Sequence, residues 1–166
     1  MADYHRSFSS FIMTITAAER AWLTAHLEGD GDVASLWAEL GIETPEDYCD
    51  DFPDFEWSFE VGKDSSTDLW LGAGDSFDFS HVGWLVQAFL RRFRPRDAFS
   101  MQWGDTCSAP RPEGFGGGAL FVTATGVADF HTADWVAERH RAHEAMVAQA
   151  FDAVDGKPNT GSFGTP

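Results

Sequence analysis

One stretch of this chain gathers more reactive groups than any other: Trp103-Gly-Asp-Thr-Cys-Ser-Ala-Pro-Arg-Pro-Glu-Gly-Phe-Gly-Gly-Gly-Ala119. Asp105 offers a carboxylate, Cys107 a thiol and Arg111 a guanidinium. Gly116, Gly117 and Gly118 permit close backbone approach or positive φ. Backbone amides at such glycines can form an anion nest, here beside Arg111. Cys107 would be a nucleophile only with a base beside it, and nothing local supplies one. Long loops in compact domains are usually functional or disordered, and residues 104–118 are read as a candidate ligand loop. The competing reading is structural: a glycine triplet entering a strand marks a bulge or tight crossing, and an isolated cysteine packs as a small hydrophobe. No phosphate-loop pattern is present.

Two other spacings invite a metal reading. Glu28-x-Asp30-x-Asp32 with Glu39 imitates a calcium loop, but Val33 stands where the sharp turn needs glycine. His140 and His143, with Glu144 alongside, share a helical face but need a third ligand from another element, such as His81 or His131. Neither set is complete in sequence. The expectation is no metal and no cofactor.

The strongest compositional signal is charge. Between Glu28 and Glu60 there are twelve Asp and Glu residues and no Lys or Arg, in a chain of formal charge -16. Such density repels nucleic acid and anionic membrane and attracts basic protein surfaces. The segment also holds Leu36, Trp37, Leu40, Ile42, Tyr48, Phe52 and Phe55, too many apolar anchors for a disordered tail. Asp47, Asp50, Asp51 and Asp54, clustered between aromatics, are the candidate partner-binding residues. Their role would be to occupy arginine-lined grooves of a basic nucleic-acid-binding protein or nuclease, as a charge mimic of nucleic acid. Arg91, Arg92, Arg94 and Arg96 form the one basic cluster; they should close a helix and pair with part of the acidic segment rather than bind phosphate. Arginine outnumbers lysine nine to two, and a GC-rich genome with a salt-adapted cytoplasm would also produce this bias. Adaptation, however, spreads charge over a surface rather than concentrating it.

The elements that must position these groups follow from periodicity. Residues 8–15 read as a strand, and Thr16-x-x-Glu19 as a capping box opening a helix to about Leu27. Val33 to Leu40 reads as a short helix ended by Gly41, and Thr44-Pro45-Glu46-Asp47 as another helix start. Phe55, Trp57, Phe59 and Val61 alternate with Glu56, Ser58 and Glu60 on a strand, with residues 68–72 as its hairpin partner. Asp78 or Ser80 caps a helix whose stripe is Val82, Leu85, Val86, Phe89, Leu90 and Phe93, and Pro95 stops it. Phe99, Met101 and Trp103 mark a fourth strand and residues 119–124 a fifth. A last helix runs from Ala133 to about Val154. Trp84 lies off the main stripe and would be a partner anchor if exposed; packing on a neighbouring element is the plainer reading. The pattern predicts an α+β fold: one domain over residues 1–155, a mostly antiparallel sheet of about five strands with two long helices and short acidic helices packed on it, and a flexible tail from 156 to 166. With 43% hydrophobic residues the chain can build a core at this length.

The string Thr106-Cys-Ser-x-Pro-Arg111…Phe115-Gly-Gly-Gly-Ala119, downstream of Phe89-Leu-x-x-Phe-Arg-Pro95, resembles a family of small proteins of bacteria, their phages and mobile elements. The similarity spans roughly residues 55–140, and members carry a basic residue where this chain has Ala109. The resemblance implies that genomic setting and no activity. It makes an inhibitor or immunity role against restriction, CRISPR or toxin-nuclease components an expectation, and it assigns no residue. No apolar run reaches the ~20 residues of a membrane span, and the N-terminus has no apolar signal region. Cys49 and Cys107 lack metal spacing and suit a reducing cytoplasm. The expected protein is therefore a cytoplasmic binding module without direct nucleic-acid or membrane contact. The alternative is a small-ligand binder or enzyme using Asp105, Cys107 and Arg111.

Overall fold

The computed structural model describes residues 3–28, 33–43, 52–61, 66–74, 77–108 and 115–155, with the side chains of 9–13 and 150–155 left aside. The fold is α+β. Its described elements are β1 (Tyr4–Ile15), α1 (Ala17–Leu27), α2 (Val33–Leu40), β2 (Glu56–Val61), β3 (Thr67–Ala73), α3 (Phe79–Phe93), β4 (Ala98–Cys107), β5 (Gly116–Thr123), β6 (Gly126–His131) and α4 (Thr132–Asp155). They fall into two compact units, Met1–His131 and Thr132–Pro166.

In the first unit the described strands form one sheet in the order β2-β3-β1-β4-β5-β6, and every pairing is antiparallel. The long strand β1 lies inside the sheet: Phe8 and residues 11–15 pair with β3, with a register shift between Phe8 and Phe11, and residues 4–8 pair with β4. Helix α3 lies against β5 and β6 on one face, and α1 and α2 lie beside α3. Its stripe is buried as the periodicity demands, with Val82, Leu85, Val86, Phe89 and Leu90 at most 4% exposed. Phe93 is half-buried at the rim. Asp78 is the N-cap, its side chain accepting from the Ser80 N–H at 2.7 Å. Leu69, Leu71, Phe99, Met101, Trp103, Leu120 and Val122 complete the core from the strands.

The sheet has six described strands rather than five. Strand β6 escapes periodicity because Gly-Val-Ala-Asp-Phe-His follows a turn and is mostly exposed, so no apolar alternation marks it. The expected loop over 104–118 is also shorter. Strand β4 runs on to Cys107 and β5 begins at Gly116, with Gly104 opposite Gly117 and Asp105 opposite Gly116. Glycines carry no side chains to show a two-residue period, which is why these rungs resemble loop in sequence.

The second unit is described through α4, which begins at Thr132, one residue before the expected start. At 24 residues it is the longest described helix. Its described side chains from Thr132 to Gln149 are exposed, among them Trp135, Val136, Met146 and Val147. The described helices thus number four, of 11, 8, 15 and 24 residues, a graded set rather than the expected two long helices with short acidic ones. Among the described residues no helix is long and apolar enough to cross a membrane.

Candidate functional site

The acidic segment begins where α1 ends. Thr16 and Glu19 form the expected capping box: the Thr16 N–H donates to Glu19 Oε2 at 2.7 Å and the Glu19 N–H to Thr16 Oγ1 at 3.3 Å. Glu19 does more than cap. Arg94 Nε donates to its Oε1 at 2.7 Å and Arg94 Nη2 to its Oε2 at 3.0 Å, while Nη2 also reaches the Thr14 carbonyl at 2.7 Å. The Arg94 fork is the main reason that the Glu19 carboxyl, although 5% exposed, falls from 4.5 to about 2; Thr16 adds to it and burial opposes it. The carboxylate in turn raises the Arg94 pKa. One ion pair therefore joins the end of β1, the start of α1 and the end of α3. Sequence spacing shows the capping box and the dipole match, but not that the two meet.

From α1 the chain is fixed to α2 through His26. Its Nδ1–H donates to the Trp22 carbonyl at 2.8 Å, which leaves Nε2 to accept from Ser35 Oγ at 3.1 Å. Helix α2 buries Leu36 and Trp37 and ends before Gly41, whose φ of +73° favours glycine. Trp84, the candidate partner anchor, packs edge-on against Trp37 with centroids 5.3 Å apart. Glu39 pairs with Arg92 at 3.2 Å, and Arg91 donates to the Leu40 carbonyl at 3.4 Å. The basic cluster thus meets the acidic segment at Glu39, as its sequence position suggested.

Asp47, Asp50 and Asp51, and the helix start at Thr44, lie outside the described residues. Asp54 is described, and its backbone is held from two sides. Its N–H donates to His81 Nδ1 at 3.1 Å, and its carbonyl accepts from the Asp78 N–H at 3.1 Å. The buried rings of Phe52 and Phe55 flank it, 6.3 Å apart and nearly perpendicular. At Asp54 the acidic segment is therefore tied to the start of α3.

Strand β2 follows. Trp57 and Phe59 pack against the core cluster on the helix side, and the Arg20 guanidinium lies 5.1 Å above the Phe59 ring. Strict alternation then puts Glu56, Ser58 and Glu60 on the opposite face. Register adds a neighbour that sequence does not show: Glu60 stands directly across from Asp68. Directly opposed like charges destabilise a strand pair. Asp68 is held by hydroxyls, with Thr14 Oγ1 donating to Oδ1 at 2.8 Å and Ser66 Oγ at 3.5 Å. Among the described residues no cation pairs with Glu56, Glu60 or Asp68. Val61, at 85% exposure, ends the strand on the helix-side row.

The other candidate region is bound up in packing. Asp105 is paired with Arg6 at 2.7 Å across the β1–β4 ladder. Cys107 is a half-buried free thiol whose cross-strand neighbour is Tyr4. Arg111 lies outside the described residues. Gly116, Gly117 and Gly118 are rungs of β5, and two of them are needed there. A Cβ on Gly117 (φ +149°) would fall 2.3 Å from the Trp103 carbonyl oxygen. One on Gly118 would fall 2.2 Å from the Phe130 carbonyl oxygen and 2.3 Å from the Trp103 ring. The triplet lets Trp103 lie flat across β5, stacked on Phe79 with centroids 5.6 Å apart and planes at 3°.

The metal spacings are described only in part. Residues 33–40 of the calcium-like stretch are helical, and residues 29–32 lie outside the described residues. His140 and His143 are exposed on α4, where with Trp135, Val136 and Arg139 they border a shallow concavity. Among the described residues no cluster of three or more His, Cys, Asp or Glu side chains could hold a metal ion.

No family model, curated protein or solved structure matches this chain.

Proposed function

We propose that this protein is an acidic binding module that docks on a basic, nucleic-acid-binding protein and occupies the groove meant for phosphates. One observation carries the reading: among the described residues, most carboxylates of the acidic segment have no cation beside them. Six of them are described (Glu28, Glu39, Glu43, Asp54, Glu56 and Glu60), and among the described residues only Glu39 has an ion-pair partner. Of the described arginines in this unit, Arg6 pairs with Asp105 and Arg94 with Glu19, away from the segment, and Arg92 pairs with Glu39. A surface that keeps like charges opposed at Glu60 and Asp68 gives up stability, and a basic partner would recover it. Its resemblance to small proteins of phages and mobile elements supports an inhibitor or immunity role in the cytoplasm. Asp47, Asp50, Asp51 and Asp54 remain the proposed contacts, with Asp54 set on a fixed backbone. The alternative role for Asp105, Cys107 and Arg111 has less support, because Asp105 is engaged by Arg6 and Gly117 and Gly118 serve Trp103.

The test is capture of partners from a bacterial lysate at low salt and again at about 0.5 M, where screening is severe, using the parent chain and an Asp50→Lys/Asp51→Lys variant. The expected partner binds nucleic acid, is released by salt, is lost with the charge reversal, and loses its own nucleic-acid binding when the parent chain is added. Cys107→Ala should change none of this. Capture that survives the charge reversal, or a partner whose nucleic-acid binding is unaffected, would sink the reading.

A further inference from the structure

Strand β2 ends the described sheet, pairing with β3 on one side and with no described strand on the other. An edge strand presents unpaired N–H and C=O groups to any chain that can add to it. The two faces of this edge carry opposite chemistry. On the outer face Glu56 and Glu60 are exposed and Asp68 lies one strand further in, directly opposite Glu60. On the helix side Trp57 and Phe59 are half-buried, the two rings 5.4 Å apart, and Val61 is almost fully exposed.

We infer that the β2 edge accepts an extended segment of the partner as an added strand, one that alternates basic with apolar residues. The inference rests on the docking role proposed above and specifies how the docking is made. In an added strand, residues facing Glu56 and Glu60 lie on the outer face, four positions apart and about 13 Å from one another. Lys or Arg there meets a carboxylate directly across, and at the Glu60 end also relieves the opposed Glu60 and Asp68. The intervening residues fall on the helix side, where apolar side chains extend the row of Trp57, Phe59 and Val61. The same carboxylates disfavour a second copy of this chain, because the antiparallel self-pairing centred on Ser58 would set Glu56 against Glu60. The edge thus selects by charge as well as by shape, and main-chain hydrogen bonds supply affinity independent of side chains.

The probe is a short capped peptide alternating Lys and Val, titrated into the full chain at low salt by fluorescence anisotropy, with amide hydrogen exchange read at β2. Two further peptides of the same sequence carry N-methyl groups on alternate residues, one in each register. Their charge is unchanged, but in one register the N–H groups facing β2 are removed. The expected result is binding by the parent peptide, a loss of at least about tenfold for one N-methyl register and not the other, and slowed exchange along residues 56–61. A Glu56→Lys/Glu60→Lys variant should lose binding to a similar degree. Equal binding by all three peptides, with no slowing at β2, overturns the added strand while leaving charge-driven docking intact. No binding by any of the peptides at low salt overturns the added strand, while the basic-partner reading stands or falls on the capture experiment with the Asp50→Lys/Asp51→Lys variant.

Discussion

A carboxylate that is 5% exposed must be held by something, and Glu19 is held by an arginine fork and by its own helix cap. Its folded pKa of about 2 lies below the unfolded value of 4.5. The pair therefore contributes fully above about pH 4.5, and its contribution is lost as pH falls towards 2. At about 1.4 kcal/mol for each pH unit, the gap is worth about 3 kcal/mol. Arg94→Met leaves the carboxylate buried without its partner and should cost about 2–4 kcal/mol at pH 7. Urea unfolding at pH 7 and pH 3 measures both effects: the variant should be less stable than the parent at pH 7, and the difference should shrink at pH 3. The glycine triplet makes a second prediction at this scale. Gly118→Ala forces a Cβ into the Trp103 ring and the Phe130 carbonyl and should cost about 2 kcal/mol or more. Gly104→Ala and Gly126→Ala meet nothing within 4 Å and should stay within about 0.5 kcal/mol of the parent, on the stabilising side. Melting curves of the three variants would separate packing glycines from permissive ones. In sequence all of these glycines look alike, because what distinguishes them is the strand across the ladder.

Helix α3 shows what periodicity can and cannot convey about an element. Its stripe, its Asp78 cap and its stop before Pro95 all follow from spacing, because each is set by residues within a turn or two. Its second task does not follow. His81 lies beside the stripe, 5% exposed, and receives the Asp54 N–H while its ring meets Phe52 at 5.2 Å. That contact spans 27 positions, and no local pattern encodes it. It makes α3 the post to which the end of the acidic segment is tied. His81→Ala removes the acceptor and leaves the Asp54 N–H without it, a loss of about 1–3 kcal/mol before any cavity is counted. Hydrogen exchange should show the Asp54 amide losing protection, while amides around Leu85 keep theirs as long as the domain stays folded. If both sites change together, Asp54 is held by the global fold and not by this histidine. The short strand β6 teaches the complementary lesson. With neither buried alternation nor a charged edge to mark it, only its pairing with β5 reveals it.

For the molecule as a whole, charge sets two demands that salt should pull apart. The chain carries 27 acidic against 11 basic side chains, so the folded state repels itself more than an expanded one does. Salt screens that repulsion, and at about 0.5 M the Debye length is roughly 4 Å, near contact distance. Raising salt from low ionic strength to about 0.5 M should therefore stabilise the isolated protein by about 1 kcal/mol, or roughly 3 °C in Tm. The same change should weaken the proposed complex, because docking draws on the very field that strains the fold. Calorimetry of the free chain and binding to its captured partner, run over one salt series, should give slopes of opposite sign. Acidity acquired only as adaptation to a salty cytoplasm predicts a different curve, with Tm still climbing into molar salt and no partner to lose. A Tm that levels off near 0.5 M while binding declines would mean that the carboxylates are kept for an encounter, and that the fold holds together in spite of them.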